Sequence, residues 1–344
     1  MAAVRAGYEV AAFDIFNDVE TRRLCFYSER ITFSNGGFDA EDLERALSNP
    51  ELAEVTIVYG SGLENQLELL DKISRQFMVL GNTAAVVWQV KDPHSFFPLL
   101  DKLGIAHPET LFEMPLEPTG WLAKGIGGSG GTHVRHFVGQ DGGYYQRLVQ
   151  GIPASVLFLS DGADIEVVGY NEQWTAAMPD MPFRYGGAVG NAGLPDWCKG
   201  AMVDAARKLA AATGLRGLNS MDFILTDEAV LALEVNPRLS ASFDLYDIPD
   251  LFDRHLQACA GRIPPLQEQP ANSTAHLIYY AKHEVAVADG MLWPEWAVDL
   301  PLPGTLCRAG EPLCTVRAVG EDASGAKALV FARAQQLDAQ LRTL

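Results

Sequence analysis

Three observations predict a mixed α/β protein made of more than one packed unit. The chain has 344 residues, more than one ordinary compact core accommodates. Residues 8–88 alternate short apolar runs with amphipathic stretches, the pattern of a three-layer α/β unit with a parallel sheet. From residue 121 the texture changes to short runs rich in Val, Tyr and Phe between Gly or Asp-Gly turns, which read as antiparallel hairpins.

Taken in order, "AAVRAG" reads as the end of a helix closed by Gly7, and "YEVAAFDIF" (8–16) as a buried strand. "FDAEDLERALS" (38–48) is an amphipathic helix, "EVTIVYGSG" (54–62) a strand entering a Gly turn, and "ENQLELLDKISR" (64–75) a helix before "FMVLGN". "DPHSFFPLLDKLG" (92–104) has an Asp N-cap, Pro at the first helical position and a closing Gly. The hairpins follow, then a Gly/Pro-rich loop (178–195), a helix (196–213) and the hairpin "SMDFILTDEAVLALEVNPR". A helical stretch (247–260), the Pro-rich "GRIPPLQEQP", a β-rich segment (275–319) and a terminal helix with Val330, Ala334, Leu337 and Leu341 on one face complete the chain.

Composition narrows the function. With 26 Lys plus Arg against 44 Asp plus Glu, the net charge of -18 disfavours nucleic acids and anionic membranes as partners. Five cysteines without a CxxC or a Cys/His cluster fit a reducing compartment. The opening "MAAVRAGYEVAAFDIF" has charges and no long apolar run, so a cytoplasmic protein acting on small molecules is expected.

The strongest ligand signal is "WLAKGIGGSGGTHVRHF" (121–137), whose glycines let backbone N–H groups approach phosphate oxygens. Gly125, Gly127 and Gly130 satisfy G-x-G-x-x-G, but β-formers follow where a dinucleotide site needs a helix, and no acid stands about 20 residues on. A P-loop would need Lys at position 131, which is Gly. What remains is a glycine hairpin with Lys124 at its entrance, either a phosphate ligand or a surface lysine.

In the later hairpin, Met221, Phe223 and Leu225 face Leu231, Leu233 and Val235 on one side, and the other side gathers Asp222, Glu234 and Asn236. Three oxygen ligands suit a hard cation such as Mg2+, and Arg238 after Pro237 suits a phosphoryl oxygen. Alone, the hairpin reads equally as a solvent-facing element kept soluble by its acids. "YYQRLVQG" (144–151) offers a backbone edge for adenine flanked by Gln146 and Arg147, or is an ordinary core strand. His133 and His136, three apart on an expected strand, make a poor metal pair. No G-x-S-x-G or H-E-x-x-H is present.

These residues resemble the ATP-grasp superfamily of carboxylate-amine ligases. The order "KD" (Lys91-Asp92), "LGIAHPET", "WLAKGIGGSGG", "YYQRLVQG", Gly217-Leu218 with Asp222-Phe223, and "LEVNPR" carries the likeness over nearly the whole chain. The resemblance implies a Rossmann-like N-terminal domain (1–88) without its usual first strand, so that the native start lies upstream or the substrate edge is altered. It implies an ATP-grasp domain (89–268) with a flap at about 108–148, and a β-rich extension (269–344). It assigns Lys91 and Lys124 to ATP phosphates, the flap residues Gly127, Gly128, Ser129, Gly130 and Gly131 to the same phosphates, and Gln146, Arg147 and Val149 to adenine. Asp222, Glu234 and Asn236 become Mg2+ ligands, with Mn2+ as the alternative, and Arg238 joins Lys124 as a catalytic cation. Arg147 stands where the family carries an acid, which leaves ribose recognition unassigned. The implied reaction is amide formation through an acyl phosphate. A branch of tyramine-glutamate ligases in methanofuran or methylofuran-type one-carbon cofactor biosynthesis is similar. Other amino-acid or pterin-cofactor substrates, or ATP binding without catalysis, are the alternatives. Arg184, Asp244 and Asp247 are candidate substrate contacts, and a homodimer is compatible with the sequence.

Overall fold

The computed structural model describes residues 2–34, 36–266 and 272–342. In the N-terminal unit, β1 (Ala11–Asp14) runs parallel to β2 (Tyr27–Arg30), and β3 (Thr56–Ile57) parallel to β4 (Met78–Val79). Among the described residues these are two separate ladders, not the one parallel sheet expected. The strand expected over 54–62 shrinks to two residues because the Gly60-Ser61-Gly62 turn leads directly into a 3-10 turn at Leu63–Asn65. Helices α1 (Ala40–Leu47) and α2 (Leu67–Ser74) bury Leu43, Leu69, Leu70 and Ile73 with Ile31 and Tyr59.

Two helices then share one residue. Asp92 ends α3 (Ala84–Lys91) and caps α4 (Pro93–Leu103), its carboxylate accepting the Ser95 N–H at 3.0 Å. The sequence reading missed α3 because "AAVVWQVK" is apolar almost all round and shows no stripe. The reason is its position between two cores: Val87 packs into the N-terminal cluster and Val90 into the central one.

Four short antiparallel strands form the flap subdomain: β5 (Thr110–Leu111), β6 (Trp121–Lys124), β7 (Val134–His136) and β8 (Tyr144–Arg147), in the order β5-β8-β6-β7. The main sheet is antiparallel with eight strands. They are β9 (Ile152–Asp161), β10 (Ile165–Thr175), β11 (Tyr185–Val189), β12 (Arg216–Leu225), β13 (Val230–Asn236), β14 (Ser273–Tyr280), β15 (Ala297–Val298) and β16 (Pro312–Gly320). Their spatial order is β13-β12-β9-β10-β11-β14-β16-β15. β11 lies inside the segment expected to be a loop. Its "YGGAV" has weak strand character of its own and becomes a strand by bridging β10 and β14.

Helices α5 (Asp196–Thr213) and α7 (Ala323–Leu341) cover one face of the sheet, α7 burying Val330, Leu337 and Leu341 as the periodicity predicts. α6 (Leu251–Cys259) packs on the other face. The expected boundary at 268/269 falls in 267–271, outside the described residues, and β14 to β16 continue the same sheet. No described helix is long and apolar enough to cross a membrane.

The β12–β13 hairpin sets Asp222 opposite Glu234 and Ser220 opposite Asn236. A bulge then pairs Phe223 with Ala232, making Leu233 the extra residue. This corrects the expected apolar face. Val235 and Ala232 enter the core with Met221 and Phe223, while Leu233 turns to the opposite cleft beside Lys91 and Glu234.

Candidate active site

The cleft between the flap and the main sheet collects charges that are far apart in sequence. Lys91, at the last position of α3, donates to Glu234 Oε2 at 3.2 Å. Lys124 is only 9% exposed and donates to Gln146 Oε1 at 2.7 Å, so it is not the surface lysine of the bland reading. Gln146 in turn donates to Thr110 Oγ1 at 3.1 Å. Burial pushes the Lys124 ammonium down to about 8, with Glu234 pulling it up and Lys91 pushing it down.

Asp222 accepts from Gln173 Nε2 at 3.1 Å and from Asn236 Nδ2 at 3.0 Å. Burial and the neighbouring Glu234 charge raise its carboxyl above the usual range. Burial acts the same way on Glu234, but Lys91 and Lys124 outweigh it and hold that carboxyl low. Asn236 Oδ1 accepts from Arg238 Nη2 at 3.1 Å. Gln173, Asp222, Asn236 and Arg238 therefore form one hydrogen-bonded chain at the open end of the hairpin, and Glu234 acts on it through its charge.

Arg238 has a partner that the sequence reading missed. Glu64, 2% exposed in the N-terminal unit, takes Arg238 Nε at 3.0 Å and Nη2 at 2.9 Å on one oxygen, and its other oxygen accepts the Gly62 N–H at 2.7 Å. Asn82 fixes the preceding turn by donating to the Pro237 carbonyl at 2.9 Å. The N-terminal unit thus aims the guanidinium. No local signal marks Glu64, since its partner lies 174 residues away.

The glycine segment closes the cleft. A Cβ on Gly128 would lie 2.0 Å from the His133 ring, and one on Gly127 would touch Asn65 at 3.7 Å. His133 stands in the turn before β7, not on the strand, and it lines the cleft with Lys91 and Glu234. Burial pushes its ring down to about 4, so it is neutral. His133 Nδ1 and Asn65 Oδ1 are buried without a hydrogen-bond partner. His133 Nδ1, able to carry the ring proton, beside two lysines and a glycine cradle of backbone N–H groups fits a polyphosphate, whereas Asn65 Oδ1 is an acceptor and adds nothing to that fit. Among the described residues no three His, Cys, Asp or Glu side chains cluster. The set at the hairpin is two carboxylates and an amide, all hard oxygens, which fits Mg2+ better than a soft metal.

The remaining candidates divide. Gln146 is buried against Lys124, whereas the Arg147 side chain lies 4.2 Å over the Trp121 ring and pairs with Glu109 at 3.4 Å, on the outside. The Arg147 N–H is committed to the Glu109 carbonyl at 2.8 Å, and Val149 lies in the link to β9. Ser129 uses its carbonyl to close the flap turn on Thr132. Arg184 does not present a free guanidinium. It donates to the Ala176 and Gly310 carbonyls at 3.0 and 2.8 Å and stacks 3.4 Å over the Tyr280 ring, which makes it a structural cation. Asp247 is exposed and pairs with Arg5 at 3.4 Å, and Asp244 is exposed on its own turn.

The Lys124 shift has a testable sign. Charged below about pH 8 and neutral above it, Lys124 loses its grip on a polyphosphate as pH rises through that value. KM for ATP is expected to rise about tenfold between about pH 7 and 9.5, the worth of one charge-assisted hydrogen bond. Gln146→Glu puts a carboxylate on the ammonium and should move this limb upward by about a pH unit. An unmoved limb in that variant would exclude Lys124 as its source.

Comparison with known proteins agrees with this architecture. Residues 90–242 match the ATP-grasp domain family, and the chain has the ATP-grasp fold. The biotin carboxylase domain of a single-chain bacterial carboxylase superposes with a TM-score of 0.71 at 15% identity, covering 94% of this chain and 81% of that one. Biotin carboxylase from Campylobacter jejuni gives 0.71 at 13%, covering 95% and 85%. N5-carboxyaminoimidazole ribonucleotide synthetase from Thermotoga maritima gives 0.66 at 14%, covering 97% and 93%. At these identities the likeness is one of fold. No curated protein sequence matches the chain.

Proposed function

We propose that the protein is an ATP-dependent carboxylate-amine ligase that activates an acid as its acyl phosphate and transfers the acyl group to an amine. One observation carries the reading: Lys91, Lys124 and Arg238 converge with Asp222, Glu234 and Asn236 under a glycine flap. In this reading Lys91, Lys124 and the Gly127 to Gly131 backbone hold the polyphosphate, and Gln146, the Arg147 carbonyl and Val149 meet adenine. Asp222, Glu234 and Asn236 would hold Mg2+ or Mn2+, which supplies positive charge to phosphoryl oxygens when bound. A substrate carboxylate oxygen attacks the γ-phosphorus and ADP leaves, with Lys124 and Arg238 neutralising the transferred group. The amine then displaces phosphate, giving the amide. The closed flap keeps water from the acyl phosphate, and no side-chain nucleophile is required.

For substrates we propose L-glutamate and tyramine, in the one-carbon cofactor branch that the sequence resembles. The test is ADP and phosphate release with Mg2+-ATP and L-glutamate, with and without tyramine, followed by product mass. Tyramine-dependent ADP with a glutamyl-tyramine mass supports both acid and amine. ADP and phosphate without an amide keep carboxylate activation and reject tyramine. A carboxylating reading, favoured by the carboxylase neighbours, is separated by running bicarbonate in place of glutamate. ATP-induced thermal protection with no turnover of any acid would reject the ligase.

A further inference from the structure

Strand register draws a polar row across one face of the main sheet, leading away from the carboxylates. Asp222 lies opposite Ser155 on β9, and Ser155 opposite Asn171 on β10. Gln173 on β10 shares that face with Tyr185 on β11, and Ala188 on β11 lies opposite His276 on β14. His276 lies four strands from Asp222 and Tyr185 three, and the Asp222 charge still reaches the Tyr185 hydroxyl. The row ends in a pair that nothing above uses: the Tyr185 hydroxyl and His276 Nε2 are 2.7 Å apart.

The direction of that hydrogen bond sets what can bind. A phenol is a stronger acid than a neutral imidazole N–H, so the phenol donates and Nε2 accepts. Burial, helped by Arg317, pushes His276 down to about 4, which keeps the ring neutral. Burial and then the Asp222 charge raise the Tyr185 hydroxyl, which stays protonated. With its proton turned to His276, the oxygen of half-buried Tyr185 is an acceptor for whatever enters. A carboxylate finds no proton there, whereas an N–H finds an acceptor.

The flap reaches this position through its backbone. The Tyr185 N–H donates to the Gly130 carbonyl at 2.8 Å, so the flap seats on the residue that carries the phenol. The Tyr185 carbonyl is held by the Tyr280 hydroxyl at 2.9 Å. We propose that the Tyr185 hydroxyl, oriented by His276, receives an N–H of the acceptor amine. Tyr185 is then an amine-binding residue and His276 its positioning residue. The inference rests on the ligase reading above and adds the place where the second substrate docks.

The test separates the two half-reactions of the full-length protein with Mg2+-ATP, L-glutamate and tyramine. Borohydride trapping of the acyl phosphate reports the acid half, and tyramine KM reports the amine half. Tyr185→Phe is expected to raise tyramine KM about tenfold or more, against a change under about threefold in trapped acyl phosphate. His276→Leu should reproduce that loss. His276→Gln, whose Oε1 can accept the phenolic proton, should recover most of it, which a merely structural histidine would not allow. If tyramine KM in Tyr185→Phe equals wild type, the amine site lies elsewhere and the ligase reading stands. If wild type traps no acyl phosphate, the ligase reading falls, and this assignment with it.

Discussion

Glu234→Gln is expected to lower turnover about a thousandfold while leaving the protein folded. Glu234 sits at the cleft end of β13 with its side chain 39% exposed, so the core does not depend on its volume. Its charge is another matter. Among the described residues it alone pairs with Lys91, and it acts electrostatically on Lys124, His133 and Asp222. The amide keeps the size and loses the charge. In the proposed reaction, two lysines that meet a polyphosphate would then sit with one fewer anion to balance a divalent cation beside them. A loss of ~4 kcal/mol of transition-state stabilisation, the upper scale for removing one preorganised electrostatic group, is about a thousandfold in rate. The same change relieves Asp222, whose carboxyl is raised partly by Glu234, so Asp222 should ionise at lower pH in the variant. Stopped turnover with an unchanged melting transition and a higher Mg2+ requirement is the expected set. Turnover within threefold of wild type would remove Glu234 from the site.

Where chemistry and structure occupy the same short stretch, the sequence was readable. The β12–β13 hairpin declares itself because period-two alternation and a four-residue turn put Asp222, Glu234 and Asn236 on one side without help from distant residues. Its bulge did not, since no residue of the hairpin marks Leu233 as the extra one. The glycine segment was legible as a flap, but His133 was not, because three β-formers in a row read as a strand where the chain is still turning. Glu64 and Asn82 required the fold itself: each works on the Pro237-Arg238 turn from the other unit. Arg184 shows the opposite error. An arginine in a Gly/Pro-rich loop looks available, yet two carbonyls and the Tyr280 ring already use it.

Gly131→Ala should stop productive flap closure, and Gly130→Ala should not do so to the same degree. Both glycines have positive φ, +69° and +61°, so an alanine at either one costs about 1–2 kcal/mol in backbone strain. They differ in what lies nearby. A Cβ at Gly131 would come 2.0 Å from the Phe183 carbonyl oxygen, a backbone atom at the entrance to β11 that cannot swing away, while a Cβ at Gly130 meets nothing within 4 Å. The Gly130 variant can therefore still seat its carbonyl on the Tyr185 N–H, at the cost of strain alone. About tenfold in rate follows for Gly130→Ala, and more than a hundredfold for Gly131→Ala, where strain and collision add. Since the flap packs on the sheet and not within its core, global stability should change little in either. An open flap admits water, so the Gly131 variant should also release ADP and phosphate without amide, giving a ratio of ADP to product well above one. Equal losses in the two variants would mean that backbone strain governs the flap and that the docking against Phe183 and Tyr185 contributes nothing to turnover.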